Sequence, residues 1–189
     1  MKSNGYRLQA AEVDVSVQRG LPDDGLISEH ANSGVELIVA DIDATLTDAH
    51  QGELCQQAYT FAKTADDYGL GLALVSNNRN RSYVESVADE LSVADELVFS
   101  PEKLRDCKPA PTMLRRAIKK AGTTPEATFA VGDGATDVIS FLLSGIRRFS
   151  VRVNCPDEAK GYWLRPKVRR IEYAVGRHAL QLAKKHELV

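Results

Sequence analysis

The sequence predicts an α/β fold, a Rossmann-like doubly wound parallel sheet with no cap domain. Two observations predict it. Short apolar runs alternate with longer amphipathic stretches between Val35 and Val153, and each internal run is followed by polar residues. Strands that alternate with helices in this way mark βαβ units and a parallel sheet.

The runs in chain order are Val35 to Ala40, Leu70 to Val75, Leu97 to Phe99, Ala127 to Val131 and Phe149 to Val153. They are short and mostly unbroken by polar residues, as strands covered on both faces should be. Helices are expected between them at about 53–68, 80–91, 110–121 and 135–144. Gly69 follows the first helix, Pro109 and Pro111 open the third, and Gly122 closes it.

Three segments follow. Residues 1–34 are an N-terminal extension with a short alternating piece (Val13 to Val17) and a Gly/Pro/Asp-rich loop. Its role is open among an arm, an edge strand and a lid. Residues 35–155 form the core. Residues 156–189 are expected as a basic amphipathic helix packed on or beside it, with Val168, Ile171, Val175, Ala179 and Leu182 on one face.

Composition agrees with a single domain. The chain has 189 residues, 43% of them apolar and 26% charged, enough for one proper core. No stretch approaches the roughly 18 consecutive apolar residues of a membrane span, and Met1 to Val17 lacks a secretory pattern. Cys55, Cys107 and Cys155 are odd in number and widely spaced, which excludes a disulfide framework and a cysteine zinc site and suits a cytoplasmic protein. The four histidines carry no ligand spacing and are read as surface residues.

Charge is uneven. Residues 161–189 carry a net of +5, which leaves −7 on residues 1–160 of a chain whose total is −2. A basic end on an acidic body suits an anionic partner, or it is the solvated face of a terminal helix. The second reading is favoured, so peripheral membrane contact is the lesser expectation. No nucleic-acid partner is expected.

Ligands of open α/β sheets bind at the carboxyl ends of the strands, so the residues after each run carry the chemistry. The first run ends in Asp41-Ile42-Asp43-Ala44-Thr45 and the second in Ser76-Asn77-Asn78; Lys108-Pro109 follows the third, and the fourth ends in Gly132-Asp133-Gly134-Ala135-Thr136-Asp137. A carboxylate such as Asp41 can displace an alcohol from a phosphomonoester, giving an aspartyl phosphate that water then hydrolyses. Carboxylate and phosphate repel, so a cation must lie between them. Asp41, Asp133 and Asp137 offer the hard oxygens that suit Mg²⁺. Asp43 is placed to protonate the leaving oxygen and later to activate water. Lys108 supplies a fixed cation, and Ser76 and Thr45 supply donors for the phosphoryl oxygens. Asn77 is a further candidate contact to phosphate, and Asp137 either ligates the metal or caps the following helix.

These motifs resemble those of the haloacid-dehalogenase-type phosphatases: DIDAT at Asp41–Thr45, the strand-terminal Ser76, Lys108 before a helix, and GDGATD at Gly132–Asp137. The resemblance covers about residues 35–150. It implies a Rossmann-like fold, Mg²⁺, a nucleophilic Asp41, an acid/base Asp43, phosphate contacts from Ser76 and Lys108, and metal ligation by Asp133 and by the backbone carbonyl of Asp43. Ala44 departs from the pattern, where glycine or asparagine is commoner.

Members of that superfamily often insert a cap. Between Thr45 and Leu70 there is room only for a flap and one helix; between Asn78 and Lys108 there is room for a helix, a strand and a loop. An open site suits a large phosphorylated substrate, or a small one enclosed by a homo-oligomer. The length, motif spacing and basic end are similar to the capless group that includes phosphatidylglycerophosphate phosphatases. A phospholipid head group, a small phosphorylated molecule and a phosphorylated macromolecule therefore all stand as substrate classes.

A competing reading is a phosphoaspartate switch, since signalling receiver domains also use an aspartate, Mg²⁺, Ser/Thr and Lys. Motif order opposes it, and a switch has no need of Asp43. A binding protein on a disabled scaffold is opposed by the full set of catalytic types. Dehalogenation is opposed because a halide leaves without a proton.

Overall fold

A computed structural model describes residues 6–10, 13–48 and 53–152. The strands are β1 (Tyr6–Ala10), β2 (Val13–Gln18), β3 (Leu37–Ala40), β4 (Gly71–Val75), β5 (Val98–Phe99), β6 (Thr128–Gly132) and β7 (Arg148–Arg152). The helices are α1 (Asp24–Asn32), α2 (Gln56–Asp67), α3 (Arg81–Glu90), α4 (Thr112–Ala121) and α5 (Ala135–Ser144). One sheet runs in the order β1-β2-β7-β6-β3-β4-β5. Only the β1–β2 pairing is antiparallel; β2 to β7, β7 to β6, β6 to β3, β3 to β4 and β4 to β5 are parallel.

Each expected strand and helix of the core is present within a few residues. The apolar runs are unbroken because both faces of the sheet are covered. Ile38, Ala40, Leu74, Phe129 and Val131 point to one side, where Ile27 of α1, Ala58, Phe61 and Ala65 of α2, and Val84 and Val87 of α3 meet them. Leu37, Val39, Ala73, Val75, Ala130 and Phe149 point to the other, against Met113, Leu114, Ala117 and Ile118 of α4 and Phe141 of α5. Each fully buried side chain of this kind contributes about 1.5–3 kcal/mol relative to exposure. Gly122 ends α4 in the left-handed conformation (φ 69°), where a side chain would be strained.

The first segment joins the sheet. The Val13–Val17 alternation becomes β2, in parallel register with β7 from Asp14↔Arg148 to Gln18↔Arg152. Asp23 caps α1 by accepting from the Leu26 amide at 3.0 Å. One expectation is corrected here. His30 is not a surface residue but buried on the inner face of α1, its ring stacked 4.1 Å from that of Phe129. It lies there because α1 turns this position toward the sheet.

No cap domain is present among the described residues. After the first motif the chain makes only a Thr47↔Leu54 bridge and then α2. No helix among the described residues is long and apolar enough to cross a membrane. The expected basic helix at 156–189 lies outside the described residues.

Candidate active site

Parallel register brings the chemistry to one edge. Ala40 pairs with Leu74 on one side and Val131 on the other, so β3, β4 and β6 end level with one another. Asp41 follows β3, Ser76 follows β4 and Asp133 follows β6. The Asp41 amide donates to the Val131 carbonyl at 2.9 Å, which holds its side chain at the sheet edge. An open, polar cleft of about 370 Å³ lies there, lined by Asp41, Asp43, Asn77, Asn78, Arg79, Lys108, Asp133, Gly134, Thr136 and Asp137. That volume suits a small ligand or the reacting end of a larger one.

Asp41 and Lys108 are both buried, at 7% and 6% exposure. The Lys108 ammonium donates to the Asp41 carboxylate, to Asp137 Oδ1 at 2.6 Å and to the Val75 carbonyl at 3.1 Å. Burial alone would lower the Lys108 pKa, but the Asp137 and Asp41 carboxylates outweigh it and hold the lysine firmly charged. Burial pushes the Asp41 carboxyl up to about 6; Lys108 opposes the shift, while Asp137 and Asp43 reinforce it. A buried carboxyl so placed gains strongly from any added cation.

Asp137 is bonded through both oxygens. Oδ1 accepts from Lys108, and Oδ2 accepts from the Gly134 amide at 3.1 Å at the start of α5. Asp41, Asp133 and Asp137 each offer a carboxylate oxygen within 4.8 Å of the others. Three hard, anionic oxygens, from residues just after β3 and β6 and from the first turn of α5, fit a divalent cation such as Mg²⁺.

Asp43 is half-buried and held from two directions. Ser76 Oγ donates to its Oδ2 at 3.1 Å, and the Tyr83 hydroxyl donates to its Oδ1 at 3.4 Å. Thr45 Oγ1 donates to Asp41 Oδ2 at 3.0 Å and is fully buried. Ser76 and Thr45 thus meet the two motif aspartates and lie behind the cleft lining. The exposed Asn77 is bonded to the Lys108 backbone in both directions: its Oδ1 accepts from the Lys108 amide at 2.7 Å, and its Nδ2 donates to the Lys108 carbonyl at 3.1 Å. That pair of hydrogen bonds fixes the lysine loop to the end of β4. Asn80 caps α3, its side chain accepting from the Tyr83 amide.

The backbone at Ala44 accounts for the commoner glycine or asparagine at this position. It has φ 63°, the left-handed region that glycine and asparagine tolerate. The turn sits between Asp43 and Thr45 and folds the chain back over Asp41. Its amide donates to Thr47 Oγ1 at 3.3 Å, which steadies the bend.

Three contributions were not read from the sequence. Tyr83 lies on α3, forty positions from Asp43, and carries no local signal. Arg152, at the end of β7, donates to the Thr45 carbonyl and contacts Cys55 Sγ at 3.7 Å, tying the first motif loop to another strand. Gly132 leaves the space that Asp137 occupies. Here the signal was available, as the first glycine of GDG.

Comparison with known proteins agrees with this geometry. The family model of a hydrolase, the haloacid dehalogenase-like hydrolases, matches residues 3–145. Among curated proteins none matches. Among solved structures, the cobalt-bound deoxy-D-mannose-octulosonate 8-phosphate phosphatase of Haemophilus influenzae is 18% identical at a TM-score of 0.51, covering 65% of this chain and 81% of its own. An uncharacterized protein of Listeria monocytogenes serotype 4b is 15% identical at 0.53, covering 64% and 83%. Likeness at this identity concerns the fold.

Proposed function

This chain belongs to the haloacid dehalogenase-like hydrolases, and on that premise we propose that it is a Mg²⁺-dependent phosphomonoester hydrolase with Asp41 as nucleophile. The observation that carries the reading is the buried Asp41 carboxylate, paired to Lys108 and grouped with Asp133 and Asp137 at the mouth of the sheet.

Asp41 attacks phosphorus; the bond from phosphorus to the ester oxygen breaks, and Asp43 donates a proton to the departing alcohol. Water then attacks the aspartyl phosphate. Asp43 takes the proton from that water, the Asp41–phosphorus bond breaks, and inorganic phosphate leaves. Lys108 keeps Asp41 oriented and offers charge to the phosphoryl oxygens, while Ser76 and Thr45 supply donors once their hydroxyls turn from the aspartates. Asp41, Asp133, Asp137 and the Asp43 carbonyl would hold Mg²⁺, which when bound offsets the repulsion between carboxylate and phosphate.

The absence of a cap among the described residues supports an open site, and hence a large substrate or a small one enclosed by a second copy, as in the capless phosphatases that include those acting on phosphatidylglycerophosphate. Arg79 supports a substrate with a second anionic group: it is exposed and lines the cleft, and no carboxylate pairs with it among the described residues. Phosphate release from a generic aryl phosphate tests the reading. Release that needs both Mg²⁺ and Asp41 is the expected result; equal release by Asp41→Asn would refute it.

A further inference from the structure

Asp43 is gripped at both carboxylate oxygens by hydroxyls from the two ends of one segment, Ser76 to Tyr83. That segment is internally stitched. The Asn78 amide donates to Ser76 Oγ at 2.9 Å, the Asn80 amide donates to Asn78 Oδ1 at 2.9 Å, and the Tyr83 amide donates to Asn80 Oδ1 at 3.4 Å. Side chains therefore bond to backbone from the end of β4 to the first turn of α3, and the last of them sets the helix start that carries Tyr83. The outcome is a fixed separation between the Ser76 and Tyr83 hydroxyls, with the Asp43 carboxylate between them at 3.1 and 3.4 Å.

The two hydroxyls are not equivalent. Ser76 sits at a strand end in the phosphate region, and in the reading above its hydroxyl turns to the phosphoryl group. Tyr83 is half-buried on α3, away from the strand ends, and like Ser76 it is not among the residues that line the cleft. Its phenol has no phosphoryl group to turn to. We propose that Tyr83 is the positioning residue that holds Asp43 against the reacting oxygen through both chemical steps, after Ser76 has left it.

The role bears most on the second step. There the new bond joins water oxygen to phosphorus, the Asp41–phosphorus bond breaks, and the water proton passes to the free oxygen of Asp43. A carboxylate fixed at one oxygen by a phenol presents the other to the water in one orientation. Without the phenol, Asp43 samples orientations in which no proton transfer occurs. Binding of the phosphoryl group, which depends on other residues, is unaffected.

This role rests on the proposed hydrolysis, so the experiment separates the two. Wild type, Tyr83→Phe and the neighbouring surface variant Ser82→Ala are assayed with an aryl phosphate and Mg²⁺ for kcat, KM and the steady-state fraction of aspartyl phosphate, alongside thermal melts. The expected result for Tyr83→Phe is a kcat lower by about tenfold, a KM that falls with it as the second step becomes limiting, more accumulated phosphoenzyme and a melting curve like that of wild type, with Ser82→Ala unchanged. An unchanged kcat in Tyr83→Phe, with active wild type, would overturn the Tyr83 role alone. So would a loss of kcat accompanied by a lowered melting temperature without phosphoenzyme accumulation, which would make the tyrosine merely structural. Wild type without Mg²⁺-dependent turnover would overturn the hydrolase reading, and the Tyr83 role with it.

Discussion

Gly132 and Asp137 are packed so closely that a methyl group on the glycine would lie 2.6 Å from the aspartate Cβ and 2.8 Å from its Cγ. Gly132 is the last residue of β6, and Asp137 lies in the first turn of α5, so the contact sets how near that carboxylate comes to Lys108 and Asp41. Gly132→Ala is expected to push Asp137 away from the cluster. The cost in stability should be about 1–3 kcal/mol, read from chemical denaturation. Weaker Mg²⁺ binding in a calorimetric titration should accompany it.

Lys108 is the cation between two buried carboxylates. Lys108→Met removes it and leaves Asp41 and Asp137 facing each other. Breaking such a buried pair costs about 3–5 kcal/mol. Adding Asp137→Asn should recover part of that loss, because one of the two like charges is gone; a double-mutant cycle measures the coupling. Mg²⁺ should narrow the deficit of the single variant. A cost below about 1 kcal/mol would place the pair among weak surface bridges instead.

The Asp41 carboxyl titrates at about 6 in the metal-free fold, against 3.8 when exposed. Between those values the folded state holds a proton that the unfolded chain has released. Stability of the metal-free protein should therefore fall as pH rises through that window, as far as this group contributes. Mg²⁺ binds the ionised form, so its stabilising effect should grow over the same window. Denaturation midpoints in chelator, compared with Asp41→Asn, check the sign: the variant should lose this part of the slope.

Ala44 adopts φ 63° beside the two motif aspartates. Ala44→Gly relieves the backbone but loses a buried methyl and adds chain entropy, so stability should change by less than about 1 kcal/mol. Ala44→Val places a branched side chain in the same conformation and should cost more than about 2 kcal/mol. Equilibrium unfolding of the pair separates backbone conformation from packing.

How much of this was legible beforehand differs by residue. The unbroken runs of β3, β4 and β6 gave their two-sided burial directly, since alternation would have left polar residues on one face. The order of polar endings placed Asp41, Ser76, Lys108 and Asp133 at one edge, because parallel strands share their carboxyl ends. What stayed hidden depends on long-range contact. The alternation from Val13 to Val17 left a strand as one role among three and gave no sign of its partner, β7, more than 130 positions away. Tyr83 reads as an ordinary member of an amphipathic helix, and only the fold brings its hydroxyl to Asp43. His30 carries no ligand spacing and reads as a surface residue, and only the fold brings its ring onto Phe129. The bonds from Asn77 to the Lys108 backbone had no local cue either, since asparagine after a strand fits many turns.

Trapping the covalent intermediate tests the central claim most directly. Asp43→Asn protein, incubated with an aryl phosphate and Mg²⁺, is quenched, digested and analysed by mass spectrometry. The account predicts a single phosphoryl group on the peptide that carries Asp41, absent when Mg²⁺ is omitted and absent in the Asp41→Asn, Asp43→Asn double variant. Phosphate released at the wild-type rate with no phosphopeptide, or a phosphoryl group on any other residue, would contradict it.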